Sequence, residues 1–551
     1  MSWCRFGRNV DAVATHEVLN QPPPLVDYDV FAADAALSEA LSREGAAWAT
    51  GELRSLGTLA GSAEPIEWGF QANANPPVLK THDRYGNRID AVDYHPAYHS
   101  LMQVAVGEGM HAAPWADARL GAHVARAAKF YVWSQVEPGH GCPISMTYAV
   151  VPALRANADA AAQWEPLLFS RDYDGRNLPA SQKRGAIAGM AMTEKQGGSD
   201  VRANTTQAVA TDGHWELTGH KWFCSAPMSD VFLMLAQTPA GLSCFAVPRW
   251  RPDGTKNPVQ LQRLKDKLGN RSNASSEIEL DRAYGVLVGE EGRGVRTIIA
   301  MVNHTRLDCV IGASATMRQA LAQAAHHAAH RSAFGKALLD QPLMGNVLAD
   351  LAVESEAATT TMMRLARAYD AADEGEAAFR RLATAVAKYW TCKRQPAFVA
   401  EALECLGGNG FVEESIMPRL FRESPLNGIW EGSGNVICLD VLRAMAREPQ
   451  SLDAFRAEVL LASGADARFD AFVSRLDAEL TDIDAIETRA RRVVEHMALA
   501  LQGSLLLRHS PAPMVDAFCA SRLERDWGVA FGTLPARAPV DAVVERARPK
   551  S

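Results

Sequence analysis

The thirteen residues AMTEKQGGSDVRA, from Ala191 to Ala203, combine hydroxyl groups with a stretch of bare backbone. Gly197 and Gly198 have no side chains, so backbone N–H groups there can approach a planar or anionic ligand closely. Thr193 and Ser199 add hydroxyl groups on either side of the glycines. The pattern favours a ligand-binding loop, and the alternative is a glycine turn with solvated polar neighbours.

A second glycine-rich segment, ECLGGNGFVEESIMPRLFRE, runs from Glu404 to Glu423. Gly407 and Gly408 lie side by side within it. Taken alone, this pair of glycines is more typical of a helix C-cap followed by a turn.

Glu431 follows Ile429 and Trp430 and precedes a Gly-Ser-Gly turn. Apolar neighbours would raise the pKa of its carboxyl group, which suits a base that takes a weakly acidic proton. A helix starting just after it would favour the carboxylate and lower the pKa. The sequence leaves open which effect is larger, and it also allows a simple helix-capping role for Glu431.

Both glycine segments match signature sequences of the acyl-CoA dehydrogenases, and the chain resembles this superfamily through about Arg447. Within the superfamily, the chain resembles the AidB-like branch, a relative of isovaleryl-CoA dehydrogenase. Four segments carry this resemblance: THEVLNQPPPL, TEKQGGSDV, LKDKLGNRSNAS and IWEGSGNVICLDVLR. The resemblance implies FAD as the cofactor. It also implies that Glu431 removes the α-proton of an acyl thioester while a hydride passes from the β-carbon to the flavin.

The resemblance further implies which residues hold FAD. Phe223 would pack on the flavin ring and Ser225 would contact the flavin. Arg331 and Gln341 would hold the ADP half of the FAD of a second subunit, in a homotetramer with FAD at subunit contacts. The complete expected set is Met192, Thr193, Gly198, Ser199, Phe223, Cys224, Ser225, Arg331, Gln341, Gly407, Gly408, Trp430, Gly432, Ser433 and Asn435.

These residues must be positioned by helices and strands, and the spacing of apolar residues along the chain predicts where each type of element lies. Helical spacing of apolar residues dominates the first part, polar–apolar alternation begins near Gly189, and the helical period returns at Gly294. We therefore expect a multi-domain α+β protein with the acyl-CoA dehydrogenase fold and an extra helical domain. Its parts are an N-terminal helical domain with an extension (1–187), a middle β-barrel-like domain (188–286), a C-terminal four-helix-type domain (287–449) and an additional helical domain (450–551).

Composition narrows the class of protein. The chain has 551 residues, 48% of them hydrophobic, and its nine cysteines include no CxxC pair. These features predict a cytoplasmic protein with reduced thiols, no membrane span, and neither a zinc ribbon nor a disulfide scaffold. The histidine pairs His326 with His330 and His95 with His99 have i, i+4 spacing but no acidic ligand nearby, so we expect no metal site.

The AidB-like branch implies double-stranded DNA binding, a role in DNA protection in the alkylation response, and at most weak dehydrogenase activity of the isovaleryl-CoA type. Residues 451–551 hold 13 Lys and Arg against 15 Asp and Glu, so their bulk charge does not favour DNA. Two local clusters remain, and a merely solvated surface is the favoured interpretation of both. The clusters are Arg489, Arg492 and His496 on one helical face, and Arg546, Arg548 and Lys550 in the tail.

The alternative function is an ordinary acyl-CoA dehydrogenase or oxidase that acts on a short or branched acyl thioester and does not bind DNA. Trp430 stands where most relatives carry Tyr, and its larger ring would narrow or reshape the acyl pocket.

Overall fold

The computed structural model describes residues 15–371, 373–482 and 484–549. Its N-terminal part is helical, with one hairpin that the sequence analysis did not anticipate, β1 and β2, placed after the Asn-Pro-Pro loop at Pro76. The elements are α1 (Ala35–Arg43), α2 (Thr50–Ala60), α3 (Ala63–Ala74), β1 (Val78–His82), β2 (Arg88–Asp93), α4 (Pro96–Gly107), α5 (Ala113–Ala116), α6 (Ala122–Ser134), α7 (Gly141–Leu154) and α8 (Ala158–Leu168).

The middle part is a seven-stranded sheet with the strand order β3-β6-β4-β5-β9-β7. Because β7 also pairs with β6, the sheet closes on itself, and β8 adds to β9. The expected barrel-like domain is therefore confirmed. Its strands are β3 (Ala188–Ala191), β4 (Gln207–Thr211), β5 (His214–Cys224), β6 (Val231–Thr238), β7 (Gly241–Pro248), β8 (Val259–Leu264) and β9 (Ser276–Val288).

Two hairpins lie in this region, where the alternation of polar and apolar residues predicts strands. β4 and β5 are antiparallel neighbours joined at Asp212 and Gly213, and Gly213 has the left-handed φ of 81° that such a tight turn requires. β6 and β7 pair along their whole length, so the apolar stretch from Val231 forms two buried strands.

The third part is a bundle of long helices that begins at Gly294, where the helical period returns. The expected return of helix is confirmed. The elements are α9 (Gly294–His330), β10 (Ser332–Ala333), β11 (Lys336–Ala337), α10 (Pro342–Asp370), α11 (Glu374–Glu404), α12 (Gly408–Phe411), α13 (Met417–Glu423) and α14 (Gly434–Arg447).

The described residues after Arg447 (448–482 and 484–549) include five more α-helices, which pack on this bundle. Phe455 stacks on Phe379 with ring centroids 6.5 Å apart, and one apolar core runs from Leu25 to Val544. The appendage therefore extends the core of the bundle. Its helices are α15 (Pro449–Leu460), α16 (Ala467–Thr481), α17 (Ile486–His509), α18 (Ala512–Phe518) and α19 (Val540–Ala547). In the part of the chain that the structure describes, no helix has both the length and the apolar character to cross a membrane.

Candidate functional site

Glu431 lies in a strained turn whose carbonyl oxygens are held by two cations. Its φ is 56°, a left-handed value that is costly for a residue with a side chain. Lys388 Nζ on α11 donates to the Trp430 carbonyl at 2.9 Å and also to the Gly432 carbonyl. Arg306 Nε on α9 donates to the Glu431 carbonyl at 3.1 Å. These charge-assisted bonds stabilise the unusual backbone and fix the direction of the carboxyl group.

The Glu431 carboxyl group is buried, and its Oε2 atom has no hydrogen-bond partner. Burial raises the pKa of this carboxyl above its ordinary value. The Thr305 hydroxyl and the charges of Arg306 and Lys388 act in the opposite direction without offsetting burial. The open question from the sequence is thus resolved in favour of desolvation. The capping alternative fails, because Ser433 is the residue that precedes α14.

Trp430 is held firmly beside this carboxyl group. Its indole Nε1 donates to Asn427 Oδ1 at 2.9 Å, and its ring packs against the buried Cys309 and Cys392. A bulky ring fixed in this way is available to limit the size of a group bound next to Glu431.

The β domain contributes an exposed aromatic surface. Phe223 on β5 is 45% exposed, and Lys265 Nζ lies 4.8 Å from its ring centroid. The backbone N–H of Trp222 donates to the Thr193 carbonyl at 2.8 Å, which ties the first glycine segment to this strand. Thr193 and Ser225 are half-buried, and Ser225 follows Phe223 by two residues.

The glycines leave open backbone at two places. A Cβ atom on Gly197 or Gly407 would meet no atom within 4 Å, and both residues have left-handed φ values, 135° and 59°. Gly408 is equally open, whereas a Cβ on Gly198 would lie 2.4 Å from the Thr193 hydroxyl. Both segments therefore present bare backbone that side chains would cover.

The remaining expected FAD contacts are placed as follows. Met192 is half-buried, Ser199 is exposed, Gly432 forms part of the strained turn, and Asn435 Oδ1 accepts from Arg491 Nε at 2.9 Å. Asn435 is thus already bonded to the appendage.

Cys224 does not fit a cofactor contact through its thiol. Its side chain is completely buried in the core of the β domain, because β5 alternates and places it on the inner face. Its carbonyl already accepts from the Ser276 hydroxyl at 2.9 Å. The structure therefore corrects the expectation for Cys224. Instead, Cys142 on α7 lies near both Ser225 and Glu431, and burial raises its pKa to about 12.

Arg331 and Gln341 flank a short hairpin at the other end of α9. Arg331 Nη1 donates to the Asn20 carbonyl, and Gln341 Nε2 donates to the Ala333 carbonyl at 2.9 Å. Arg331 follows Arg306 by 25 residues on a continuous helix, which corresponds to about 38 Å. That separation exceeds the reach of one FAD molecule.

The basic face expected on α17 is paired with acidic groups. Arg489 pairs with Asp482 at 3.1 Å, and Arg492 pairs with Glu479 at 2.8 Å. His496 Nδ1 lies 2.7 Å from Glu479 Oε2. The sequence places the three basic residues on one face but does not reveal these partners. These ion pairs agree with the favoured interpretation that the face is not a free DNA-binding patch.

The tail cluster is paired as well. Arg546 bonds to Glu39 and Glu356, and Arg548 lies 3.3 Å from Glu545. Lys550, the third residue of this cluster, lies outside the described residues.

The histidine pairs have structural partners. His326 Nε2 lies 2.9 Å from the Pro23 carbonyl, and His330 Nδ1 lies 2.8 Å from the His326 carbonyl. His95 accepts from the Ala97 N–H at the start of α4, and His99 bonds to the Tyr173 hydroxyl at 2.9 Å. Among residues 15–371, 373–482 and 484–549, no three His, Cys, Asp or Glu side chains are grouped to hold a metal.

Sequence reasoning missed Thr305, Arg306 and Lys388. They reach the Glu431 turn from helices that lie more than forty residues away in the chain. A Lys and an Arg on the inner faces of long Ala-rich helices are a usable signal, because buried cations require partners.

Three family models match the chain in succession. They are the adaptive response protein AidB N-terminal domain (residues 20–175), the acyl-CoA dehydrogenase middle domain (189–283) and the acyl-CoA dehydrogenase C-terminal domain (292–446). The putative acyl-CoA dehydrogenase AidB of Escherichia coli strain K12 is 48% identical over 519 residues, covering 94% of this chain and 96% of that protein. Acyl-CoA dehydrogenase family member 11 of Caenorhabditis elegans is 30% identical over 82% of this chain and 78% of that protein.

Solved structures show the same fold. The crystal structure of Caenorhabditis elegans ACDH-11 in complex with C11-CoA has a TM-score of 0.84 at 26% identity and covers 100% of this chain and 95% of that chain. The acyl-CoA dehydrogenase from Bacillus anthracis complexed with FAD has a TM-score of 0.62 at 18% identity and covers 82% and 83%. The family-level expectations of an oxidoreductase and of FAD as its cofactor follow from these matches. The chain belongs to the acyl-CoA dehydrogenase family, in the branch that carries the AidB N-terminal domain.

Proposed function

We propose that this protein is an FAD-dependent acyl-CoA dehydrogenase in which Glu431 is the catalytic base. The observation that carries the proposal is the Glu431 carboxyl group, which is buried, lacks a partner at Oε2 and is fixed by cations bound to its own backbone. A buried carboxyl group without a partner is unusual unless a ligand completes its surroundings.

The residues present fit a flavin nucleotide. The Phe223 ring is exposed, Thr193 and Ser225 are half-buried, and the glycines at 197 and 407 leave backbone open. FAD, when bound, supplies an acceptor for the hydride that leaves the β-carbon. Arg306 contacts the Glu431 turn and precedes Arg331 by about 38 Å along α9, so each chain would serve the flavin of one cofactor and the ADP half of another.

The role of the protein in the reaction is to hold and move a proton. The Glu431 carboxylate accepts the α-proton of the thioester, and the α-carbon electrons form the new double bond as the β-hydride departs. Glu431 would thus take up the one proton that the thioester loses, and bound FAD would supply the acceptor for the hydride. Lys388 and Arg306 keep the carboxyl direction fixed through the Trp430–Gly432 backbone, which spares the base from reorganising.

The fixed Trp430 ring favours a short or branched acyl group next to Glu431, in line with the isovaleryl-CoA type of substrate. The experiment is anaerobic titration of the purified yellow protein with butyryl-CoA, isovaleryl-CoA, octanoyl-CoA and palmitoyl-CoA, following loss of flavin absorbance. Bleaching by a short or branched thioester supports the proposal. No bleaching by any chain length contradicts it.

DNA protection and a homotetramer remain predictions that come from the resemblance, and a cytoplasmic location remains a prediction from the composition. The pairing of Arg489, Arg492 and His496 with carboxylates does not favour the α17 face as the DNA contact. Binding of duplex DNA would require other basic groups or a surface formed by several subunits. Gel retardation over a range of salt concentrations tests it, because the salt slope counts the phosphate contacts.

A further inference from the structure

A segment near the N-terminus, which we call the strap (residues 20–26), lies across the hairpin after α9. Asn20 makes the principal contacts, and it has a left-handed φ of 58°. Its side-chain Nδ2 donates to the Ser332 carbonyl at 2.8 Å, and its Oδ1 accepts from the Ser332 N–H at 2.8 Å. Its own carbonyl accepts from Arg331 Nη1. One residue therefore clamps the backbone and the guanidinium of two residues more than 300 positions away.

The strap also touches the second glycine segment. Gln21 Oε1 accepts from Asn409 Nδ2 at 3.3 Å, and the Pro23 carbonyl lies 2.9 Å from His326 Nε2. Beneath the strap is a cavity of about 220 Å³, lined in part by Leu25 and Phe70. Leu25 anchors the C-terminal end of the strap in the apolar core, and the polar contacts of Asn20 and Gln21 position its N-terminal end.

Arg331 differs from the arginines of the appendage in how its charge is satisfied. Within the described ranges, no carboxylate pairs with Arg331, and its bond to the protein is to the neutral carbonyl of Asn20. Its positive charge is therefore oriented but not neutralised, which is the state that suits recognition of an anion. The open backbone of Gly407 and Gly408 lies next to Asn409, which the strap also contacts.

We propose that the strap positions the binding groups for the ADP half of FAD, with Asn20 as the positioning residue that fixes Arg331. The inference rests on the proposed role of Arg331. An arginine that is already held in place loses less rotamer freedom when it binds a phosphate, so the clamp increases affinity without touching the cofactor. The N-terminal extension thus becomes part of the cofactor site.

The test compares Asn20→Gly with Asn346→Ala in the full-length holoprotein. Glycine keeps the left-handed backbone and the carbonyl of residue 20 but removes the clamp. Asn346 makes the same two bonds to the backbone, each 3.0 Å long, but to Leu534 of the appendage and not to any proposed cofactor residue. Release of FAD after dilution is followed by recovery of free-flavin fluorescence, and the melting temperature is measured in parallel.

We expect Asn20→Gly to release FAD about tenfold faster, which corresponds to the ordering of one side chain, and Asn346→Ala to leave the release rate unchanged. Adding Asn20→Gly to Arg331→Met should cause no further increase, because Asn20 acts through Arg331. If both asparagine variants lower the melting temperature alike and neither alters FAD release, the strap only stabilises the fold and the proposal is wrong.

A separate outcome tests the underlying role of Arg331. If Arg331→Met itself releases FAD at the normal rate, the assignment of Arg331 to the ADP half fails. If Arg331→Met accelerates release but Asn20→Gly does not, only the positioning role of the strap is overturned.

Discussion

Two polar regions of this protein place charged side chains on or beside helices, and they differ in how those charges are satisfied. At the Glu431 turn, two cations bond to backbone carbonyls while the carboxyl oxygen Oε2 stays buried without a partner. On α17 of the appendage, the basic groups of Arg489, Arg492 and His496 each lie against a carboxylate. At the Glu431 turn a hydrogen-bond acceptor lacks a partner, whereas on α17 the basic groups are paired with carboxylates.

This difference distinguishes a site that a ligand would complete from a surface whose charges are paired within the fold. At the Glu431 turn the unpartnered carboxyl oxygen coincides with a strained backbone and a fixed aromatic ring, and this combination favours a ligand that completes the site. Charges that are mutually paired have no such requirement. The comparison can be tested by removing groups from each region and asking whether activity, stability or DNA binding responds.

The largest expected effect is on the chemical step. Glu431→Gln keeps the shape of the side chain but removes the base, so the rate of flavin reduction by the best thioester should fall by about 10³-fold or more. FAD content should stay normal. The measurement is stopped-flow flavin reduction, with Glu448→Gln as the control, because Glu448 follows α14 and pairs only with Arg381. A Glu431→Gln variant that is reduced at the normal rate would show that another group is the base.

The next effect concerns the stability of the appendage. Arg522 is buried and bonds to Asp350 at 2.5 Å and to Glu354 at 3.0 Å. Arg522→Met would leave Asp350 and Glu354 buried with less positive charge, which should cost about 3–5 kcal/mol. The control Arg537→Met removes an exposed pair with Glu524 and should cost less than about 1 kcal/mol.

Thermal unfolding distinguishes the two appendage variants. A large drop in melting temperature for Arg522→Met alone would show that this buried ion network joins the appendage to α10. Equal small changes for the two arginine variants would contradict a structural role for the network.

The third effect is a pH dependence of stability that arises from one buried carboxyl group. Glu423 is buried but accepts a bond from the Asn270 N–H at 2.6 Å, and burial raises its pKa to about 7. The folded state therefore favours the protonated form. Its stabilising contribution is complete below the ordinary pKa near 4.5 and is lost as the pH rises through 7.

The direction in which the free energy of unfolding changes with pH can be checked by comparing the wild type with Glu423→Gln, which retains an acceptor oxygen. Between about pH 5 and pH 8 the wild type should lose up to about 3 kcal/mol relative to the variant. Chemical unfolding at several pH values provides the measurement. Parallel curves for the two proteins would show that Glu423 titrates normally.

The parts that could be predicted from the sequence are those set by local patterns. The turn at Gly213, the hairpin of β6 and β7, and the start of helix at Gly294 follow from turn residues and hydrophobic period. The signature segments likewise located Glu431.

Contacts between distant segments could not be predicted. Lys388 meets the Glu431 turn only because α11 packs beside it, and Glu479 meets Arg492 only because α16 lies against α17. Helical spacing shows which side chains share a face, but it does not show which charge lies opposite. For that reason the sequence located the carboxylate that we propose as the base, but it did not reveal the carboxylates that pair with the basic face.

The smallest expected effect tests the neutral region directly. In the wild type, Arg492 and His496 are occupied by Glu479, so replacing Arg489 and Arg492 with Glu should leave any duplex DNA affinity and its salt slope unchanged. Glu479→Gln frees both basic groups and should alter stability by less than about 1 kcal/mol. Gel retardation at low salt compares these variants.

A reduced salt slope in the double Arg→Glu variant would mean that the ion pairs open for DNA, because each lost phosphate contact lowers the slope by about one. Retardation gained only with Glu479→Gln would instead show that the carboxylate keeps this face neutral.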